Sequence, residues 1–264
     1  MHNRNFPPWV VLHVPHDSTD IPDELRSQFL LSDSELQTEL IRMTDHHTHR
    51  IFADSPGEAS VVRAPFSRLV VDVERFPDDA DEPMSSRGMG AVYTMTSQLA
   101  PLRHALTIDE RESMIRLYYE PHHELLEATV ARLLDLHGQC LVIDCHSFPD
   151  VAHPYEMADP SELRPDICIG TDNFHTDAEL ANAFRISFEK AGWQVSLNKP
   201  FAGALVPASR YRHDHRVKAI MIEVNRSLYL HESNAVQTEN FESIAERIRE
   251  CCLESLRIDF GNFV

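Results

Sequence analysis

The chain has 264 residues, 42% of them hydrophobic and 25% charged, which is enough for one large domain with a substantial core. Its 24 Lys and Arg stand against 42 Asp and Glu, a formal charge of −18. That balance argues against nucleic acid and anionic membrane as partners, because phosphate binding needs basic clusters. No apolar run approaches the ~18 residues of a membrane span, and the N-terminal segment has no apolar stretch of signal-peptide length. The five cysteines are odd in number and form no CxxC pair, as expected of free thiols in a reducing compartment. A cytoplasmic protein is the expectation.

In chain order, the first element is a strand, "WVVLHV" (9–14), which runs directly into "PHDS" and places His16 just past its end. A helix follows over "SDSELQTELIRMTDHHTHRIF". It opens with a capping box, Ser32 with Glu35 three residues on, and as one continuous helix it would put His47 on the apolar face and Asp45 at its edge. "SVVRA" (60–64) and "RLVVDV" (68–73) read as further strands, the second leading into Asp72, Glu74 and Arg75. Residues 76–101, rich in proline and turn residues, form a long loop of the kind that is often functional.

A long amphipathic helix, "DERESMIRLYYEPHHELLEATVARLLDLHG", is interrupted by Pro121 and ended by Gly138. The strand "CLVIDC" (140–145) then carries Asp144 and runs on to His146 and Ser147. "DICIG" (166–170) and "AIMIEV" (219–224) are strands, the latter bearing Glu223 and leading to Asn225 and Arg226. Helices cover "DAELANAFRISFEKAG" and "NFESIAERIRECCLESL". Apolar strands alternating with helices define a single α/β domain over 1–264, with a mixed, largely parallel central sheet and helices on both faces.

In such folds ligands bind outside the carboxyl ends of the strands, and here four of those ends carry polar residues. Glu223 inside an apolar strand is the least easily dismissed, because a buried carboxylate is unfavourable unless it is paired or faces a cation. Two histidines and a carboxylate are the usual ligand set of a catalytic zinc with one open position, and a further carboxylate can act as base towards the bound water. By residue type alone, metal-assisted hydrolysis competes evenly with all other readings. A Ser or Cys nucleophile in "DCHSFP" is disfavoured, since Cys145 and Ser147 flank His146 too closely for an ordinary triad.

Seven stretches occur together in order: "VPHDSTDIP", "TDHHTHRIF", "FSRLVVDVERFPDD", "YYEPHHELL", "DCHSFP", "NKPFAGALV" and "IMIEVNRSLYL". In this order and rough spacing, from about residue 10 to 232, they resemble the N-formylglutamate amidohydrolase family. That family is similar in fold and mechanism to the zinc carboxypeptidases and aspartoacylases: "DVERF" is similar to the aspartoacylase "DLNR", "DCHS" to "DLHN", and "IEVN" to "IEVG".

The resemblance implies a zinc-carboxypeptidase-like fold, one Zn2+ per chain and a small anionic N-acyl amino acid as substrate. It implies His16 and His146 as metal ligands. The carboxypeptidase position for the third ligand is Thr19 here, which cannot serve, and Asp45 matches the family pattern instead. Glu223 matches the water-activating base, Arg68 the oxyanion-stabilising arginine, and Arg75, with Arg226, a grip on the substrate carboxylate. Asp144 would orient His146, and Tyr229 would line the pocket. Two residues depart from the pattern: Glu74 where relatives have Asn, and Asp17 where a small residue is usual. The resulting expectation is hydrolysis of an N-formyl or N-acyl acidic amino acid. A zinc amidase or carboxypeptidase for another acyl amino acid or peptide, and a relative that binds without turning over, are the rivals.

Overall fold

The computed structural model describes residues 5–54, 56, 57, 59–159 and 161–257. Its centre is a six-stranded sheet in the order β2-β1-β3-β6-β4-β5. The strands are β1 (Val10–Val14), β2 (Ser60–Arg63), β3 (Cys140–Phe148), β4 (Ile167–Gly170), β5 (Val195–Leu197) and β6 (Val217–Asn225). β2, β1, β3 and β6 run parallel, while β4 pairs antiparallel with β6 and parallel with β5. Every residue of β1, β3 and β6 is buried, as required of strands covered on both faces. A small ribbon, β7 (Leu230–His231) with β8 (Val236–Gln237), lies outside the sheet.

Alternation along each strand sends neighbouring side chains to opposite faces. On one face Val10, Leu12, Ile143, Cys145, Ile220 and Ile222 pack with residues of three helices: α2 (Thr48–Ala53), α5 (Ala178–Lys190) and α6 (Phe241–Ser255). On the other, Val11, Val142 and Ala219 meet Leu126, Val130, Leu133 and Leu134 of α4 (Glu120–His137). Each buried Val, Leu or Ile among them contributes roughly 1.5–3 kcal/mol. His13, Asp144, His146 and Glu223 also project from the α4 face, at the carboxyl end of the strands.

The capping box at Ser32 forms as expected, with the Glu35 carboxylate accepting from the Ser32 amide at 2.8 Å, and it opens α1 (Asp33–Met43). The expected single helix from 32 to 52 does not form. α1 stops at Met43, Thr44 is extended, and His47 adopts a left-handed φ of 67° before α2 begins. Further on, α3 (Ile108–Met114) passes through one π turn, Ile115–Tyr119, into α4. Pro121 has no amide proton to give to Leu117, and the wider turn accommodates its ring. Gly138, at φ 73°, ends α4.

Residues 68–73, expected as a strand, form turns and irregular backbone, with all but the half-buried Arg68 buried. Their polar backbone groups find partners outside any sheet: Asp72 N donates to Ala91 O at 2.8 Å, and the Arg103 guanidinium donates to the carbonyls of Leu69 and Val70. Hydrophobic side chains of this stretch enter two further clusters that wall the sheet's carboxyl end. All five cysteines are buried free thiols. Among the described residues, no helix is long and apolar enough to cross a membrane.

Candidate active site

A cavity of about 1120 Å³ opens at the carboxyl ends of β1, β3 and β6, and its walls include His16, Asp45, Arg68, Arg75, His146 and Glu223. His16 follows β1, and its carbonyl accepts from the Asp45 amide at 2.9 Å. That bond ties the break between α1 and α2 to the strand end, and Thr48 Oγ1 closes the turn on Asp45 O at 2.9 Å. Broken at this point, the chain aims the Asp45 carboxylate inward, which a continuous helix would not do.

Asp45 Oδ2 lies 3.2 Å from His146 Nδ1 and 3.7 Å from His16 Nδ1. The three side chains are buried, their ligand atoms lie within 4.8 Å of one another, and His16 Nδ1 has no hydrogen-bond partner. Two imidazole nitrogens and a carboxylate oxygen converging in this way suit a borderline divalent cation such as Zn2+.

The remaining ring nitrogens are held from behind. Asp72 Oδ1 is 2.8 Å from His16 Nε2, and Asp144 Oδ1 is 3.0 Å from His146 Nε2. The regular β3 keeps Asp144 and His146 on one face, within hydrogen-bond reach of each other. Carboxylate–histidine pairs of this kind fix the tautomer and ring orientation of metal ligands. Asp72 appeared in the sequence only as a polar residue near a strand end. In the fold it also accepts from Arg68 Nη2 at 2.7 Å and from the Tyr93 hydroxyl.

Charge in the site is closely balanced. Burial opposes ionisation of Asp45, but the hydrogen bond to His146, the nearby His16 ring and the Arg226 charge hold it well below the usual carboxylate range. Asp72 is likewise held low against burial, chiefly by Arg68. Glu223 is different: burial pushes it up to about 8, partly offset by the His146 charge, and its Oε2 has no hydrogen-bond partner.

The arginines divide by role. Arg68 Nε and Nη2 donate to Asp72, while its Nη1 stands 4.0 Å from Asp45 Oδ1. Arg75 lines the cavity with its Nε 3.9 Å from Asp72 Oδ2 and no hydrogen bond at that atom. Arg226 borders the cavity, but it donates to Asp45 Oδ1 at 2.8 Å, Arg42 O at 2.6 Å and both oxygens of Ser147 at 3.2 Å. Its guanidinium secures Asp45, so little donor capacity is left for a substrate carboxylate. Tyr229 does not line the pocket: it is fully buried and donates to His46 O at 3.0 Å.

Among the other histidines, His46, His47 and His49 are half-buried. His47 packs edge-on against Phe241. His122 is buried against His13, and His123 stacks on Tyr119 while donating to Val73 O at 2.9 Å. His213 and His215 are exposed. Asp17, one of the departures from the family pattern, bonds Arg63 at 2.6 Å and the His49 amide at 3.3 Å and leaves the cavity alone.

Fold and site define an α/β protein with a mostly parallel mixed sheet whose strand ends gather two histidines, an aspartate and a buried glutamate. The chain belongs to the N-formylglutamate amidohydrolase family, whose model matches residues 9–230. This places it among hydrolases acting on carbon–nitrogen bonds. It is 27% identical over 233 residues to the N-formylglutamate deformylase of Pseudomonas putida, covering 85% of this chain and 82% of that one. The crystal structure of an N-formylglutamate amidohydrolase from Ralstonia eutropha JMP134 superposes with a TM-score of 0.80 at 22% identity, over 95% of this chain and 92% of that one. A gene product of Agrobacterium tumefaciens matches with a TM-score of 0.68 at 23% identity, over 94% and 90%. At these identities the two structures support the fold.

Proposed function

We propose that this protein hydrolyses the amide of an N-formyl acidic amino acid, N-formylglutamate in the first instance, with a divalent metal such as Zn2+ held by His16, Asp45 and His146. The observation that carries the reading is the convergence of those three ligands beside Glu223, whose carboxyl is buried one strand away. A cation held there would lower the pKa of a bound water towards ~7 and polarise the amide carbonyl.

Glu223 is the general base. A carboxyl that ionises near neutrality is suited to taking the attacking water's proton and returning it to the leaving amine. Arg68, fixed on Asp72, stabilises the oxyanion, a role in which one donor is typically worth ~3–4 kcal/mol. Arg75 grips the substrate carboxylate, since Arg226 is engaged with Asp45. Asp72 and Asp144 hold the two histidines in their ligating orientation.

The test is formate release from N-formyl-L-glutamate by the purified chain, before and after metal stripping with a chelator. The reading requires activity that disappears on stripping and returns with Zn2+. Activity that survives complete metal removal would contradict it and favour a Ser or Cys nucleophile.

A second reading has one observation in its favour. The cavity, at about 1120 Å³, is several times the volume of a formylated amino acid, which leaves space for a longer acyl group or a peptide end. A substrate panel on which N-formylglutamate is inert and a larger N-acyl amino acid is cleaved would favour it.

A further inference from the structure

Directly behind His146 lies a second group of ligand-type atoms, two of which, on His13 and Glu74, have no part in the hydrolytic reading. His13 on β1 is paired in register with Asp144 on β3, so both side chains project towards α4. His13 Nδ1 is 2.8 Å from Asp144 Oδ1 and 3.2 Å from Glu74 Oε1. The outer nitrogen of His146, Nε2, is 3.0 Å from the same Asp144 oxygen and 3.8 Å from the same Glu74 oxygen. The ligand atoms of His13, Glu74 and Asp144 lie within 4.8 Å of one another, and His146 Nε2 stands beside two of them. Ligands at ~2.0–2.1 Å from a tetrahedral cation are separated by roughly 3.3 Å, so the spacing is commensurate with an ion between them. In the His16–Asp45–His146 triad the corresponding separations are 3.2 and 3.7 Å.

Two further features point the same way. The side chains of His13 and Asp144 are wholly buried and that of Glu74 is 13% exposed, yet Glu74 Oε1 accepts no hydrogen bond. Adjacent buried carboxylates need positive charge beside them, and among the described residues the ion pairs of Glu74 and Asp144 are with histidines alone. The donors are also braced from behind, as metal ligands are: His13 Nε2 lies 2.8 Å from His122 Nε2 on α4, and Asp144 Oδ2 accepts from the Leu205 amide at 3.1 Å.

We propose that His13, Glu74 and Asp144, with His146 Nε2 at the fourth corner, form a second divalent-cation site adjoining the first. Imidazole among carboxylates selects a first-row metal of the zinc type over Mg2+ or Ca2+. Ligation requires His13 Nδ1 and His146 Nε2 to be free of protons, any proton held there being released to solvent on loading, and His146 then joins the two sites through its two nitrogens. The site accounts for Glu74, the acidic departure from the family's asparagine, and for His13 inside an apolar strand. It shares His146 with the first triad but does not need that triad to be loaded.

The test counts metal on the full-length chain, stripped, titrated with Zn2+, desalted and analysed by elemental mass spectrometry. Wild type should hold two equivalents, and Glu74→Gln and His13→Ala one each. His16→Ala should also hold one, and His16→Ala combined with Glu74→Gln should hold none. Glu74→Gln is nearly isosteric and guards against loss of fold in the His13 variant. With Co2+ as probe, the visible absorption of the Glu74 and His16 variants should sum to that of wild type. Saturation of wild type at one equivalent, lost in His16→Ala and unaffected by Glu74→Gln, overturns the second site and leaves the first reading intact. A second equivalent that persists in both Glu74→Gln and His13→Ala overturns it as well. A wild type that retains no metal overturns both.

Discussion

His146 and Glu223 occupy paired positions on β3 and β6, the two nine-residue strands at the centre of the sheet. Paired residues on neighbouring strands project from the same face about 4.8 Å apart. The proposed ligand and the proposed base are therefore held in register by backbone hydrogen bonds and not by a loop. The backbone of Glu223 is thus fixed beside the site, and its buried Oε2 has no hydrogen-bond partner there.

Within "TDHHTHR" the bond from the Asp45 amide to His16 O separates Asp45 from its histidine neighbours. Asp45→Ala should lower bound zinc by one equivalent per chain in the same elemental analysis, and His47→Ala should leave it unchanged. The reverse pattern would mean that the ligand is the histidine. Asp45→Ala also leaves the buried Arg226 without its carboxylate, so a loss of stability of about 3–5 kcal/mol should accompany it, read as a shift in urea midpoint.

Asp72 receives His16, Arg68 and Tyr93 at once. Asp72→Asn keeps the shape but removes the charge that fixes the His16 tautomer. Zinc affinity at the first site, measured by competition with a chromophoric chelator, should fall about 10- to 100-fold. An unchanged affinity would show that Asp72 serves the fold alone.

Arg75, not Arg226, is assigned the substrate carboxylate. Arg75→Gln should raise KM for N-formylglutamate by about 10- to 100-fold with a smaller effect on kcat, as expected for loss of a charged hydrogen bond worth about 1.5–3 kcal/mol. Steady-state kinetics separates this from a collapse in kcat, which would place Arg75 in the chemical step.

His153 lies on the cavity wall, and burial, helped by the Arg226 charge, lowers it from the ordinary 6.5 to about 4. The unfolded chain therefore binds a proton at this position before the folded one does. The stability associated with the neutral ring is present above pH ~6.5 and is lost as the pH falls towards ~4, by at most about 3 kcal/mol. His46, also lowered to about 4 by burial, adds to the same slope. Urea midpoints at pH 7 and pH 4.5 should differ less in His153→Gln than in wild type, and an equal difference would contradict the assignment.

How much was legible in the sequence depends on whether the signal was local. β1, β3, β4 and β6 announce themselves as short runs apolar on both faces, and Ser32 with Glu35 announces the start of α1. His16, His146 and Glu223 stand out because they follow or interrupt such runs. The apolar periodicity of α1, by contrast, continues through 44–47 and conceals the break that turns Asp45 inward. That break depends on the His16 carbonyl, far away in sequence. "RLVVDV" has the composition of a strand, but its carbonyls are taken by Arg103, which no local pattern reveals. His13 was hidden for the opposite reason: inside an apolar strand it counts as one more buried position until register sets it against Asp144.

Glu223 is proposed to activate water beside a metal held by His16, Asp45 and His146. The most direct measurement is formate release from N-formyl-L-glutamate by Glu223→Gln, with metal content matched to wild type. Metal binding should be unchanged and kcat should fall about 10²–10⁴-fold, the contribution of a positioned general base. Turnover within a few-fold of wild type at full metal occupancy would contradict it.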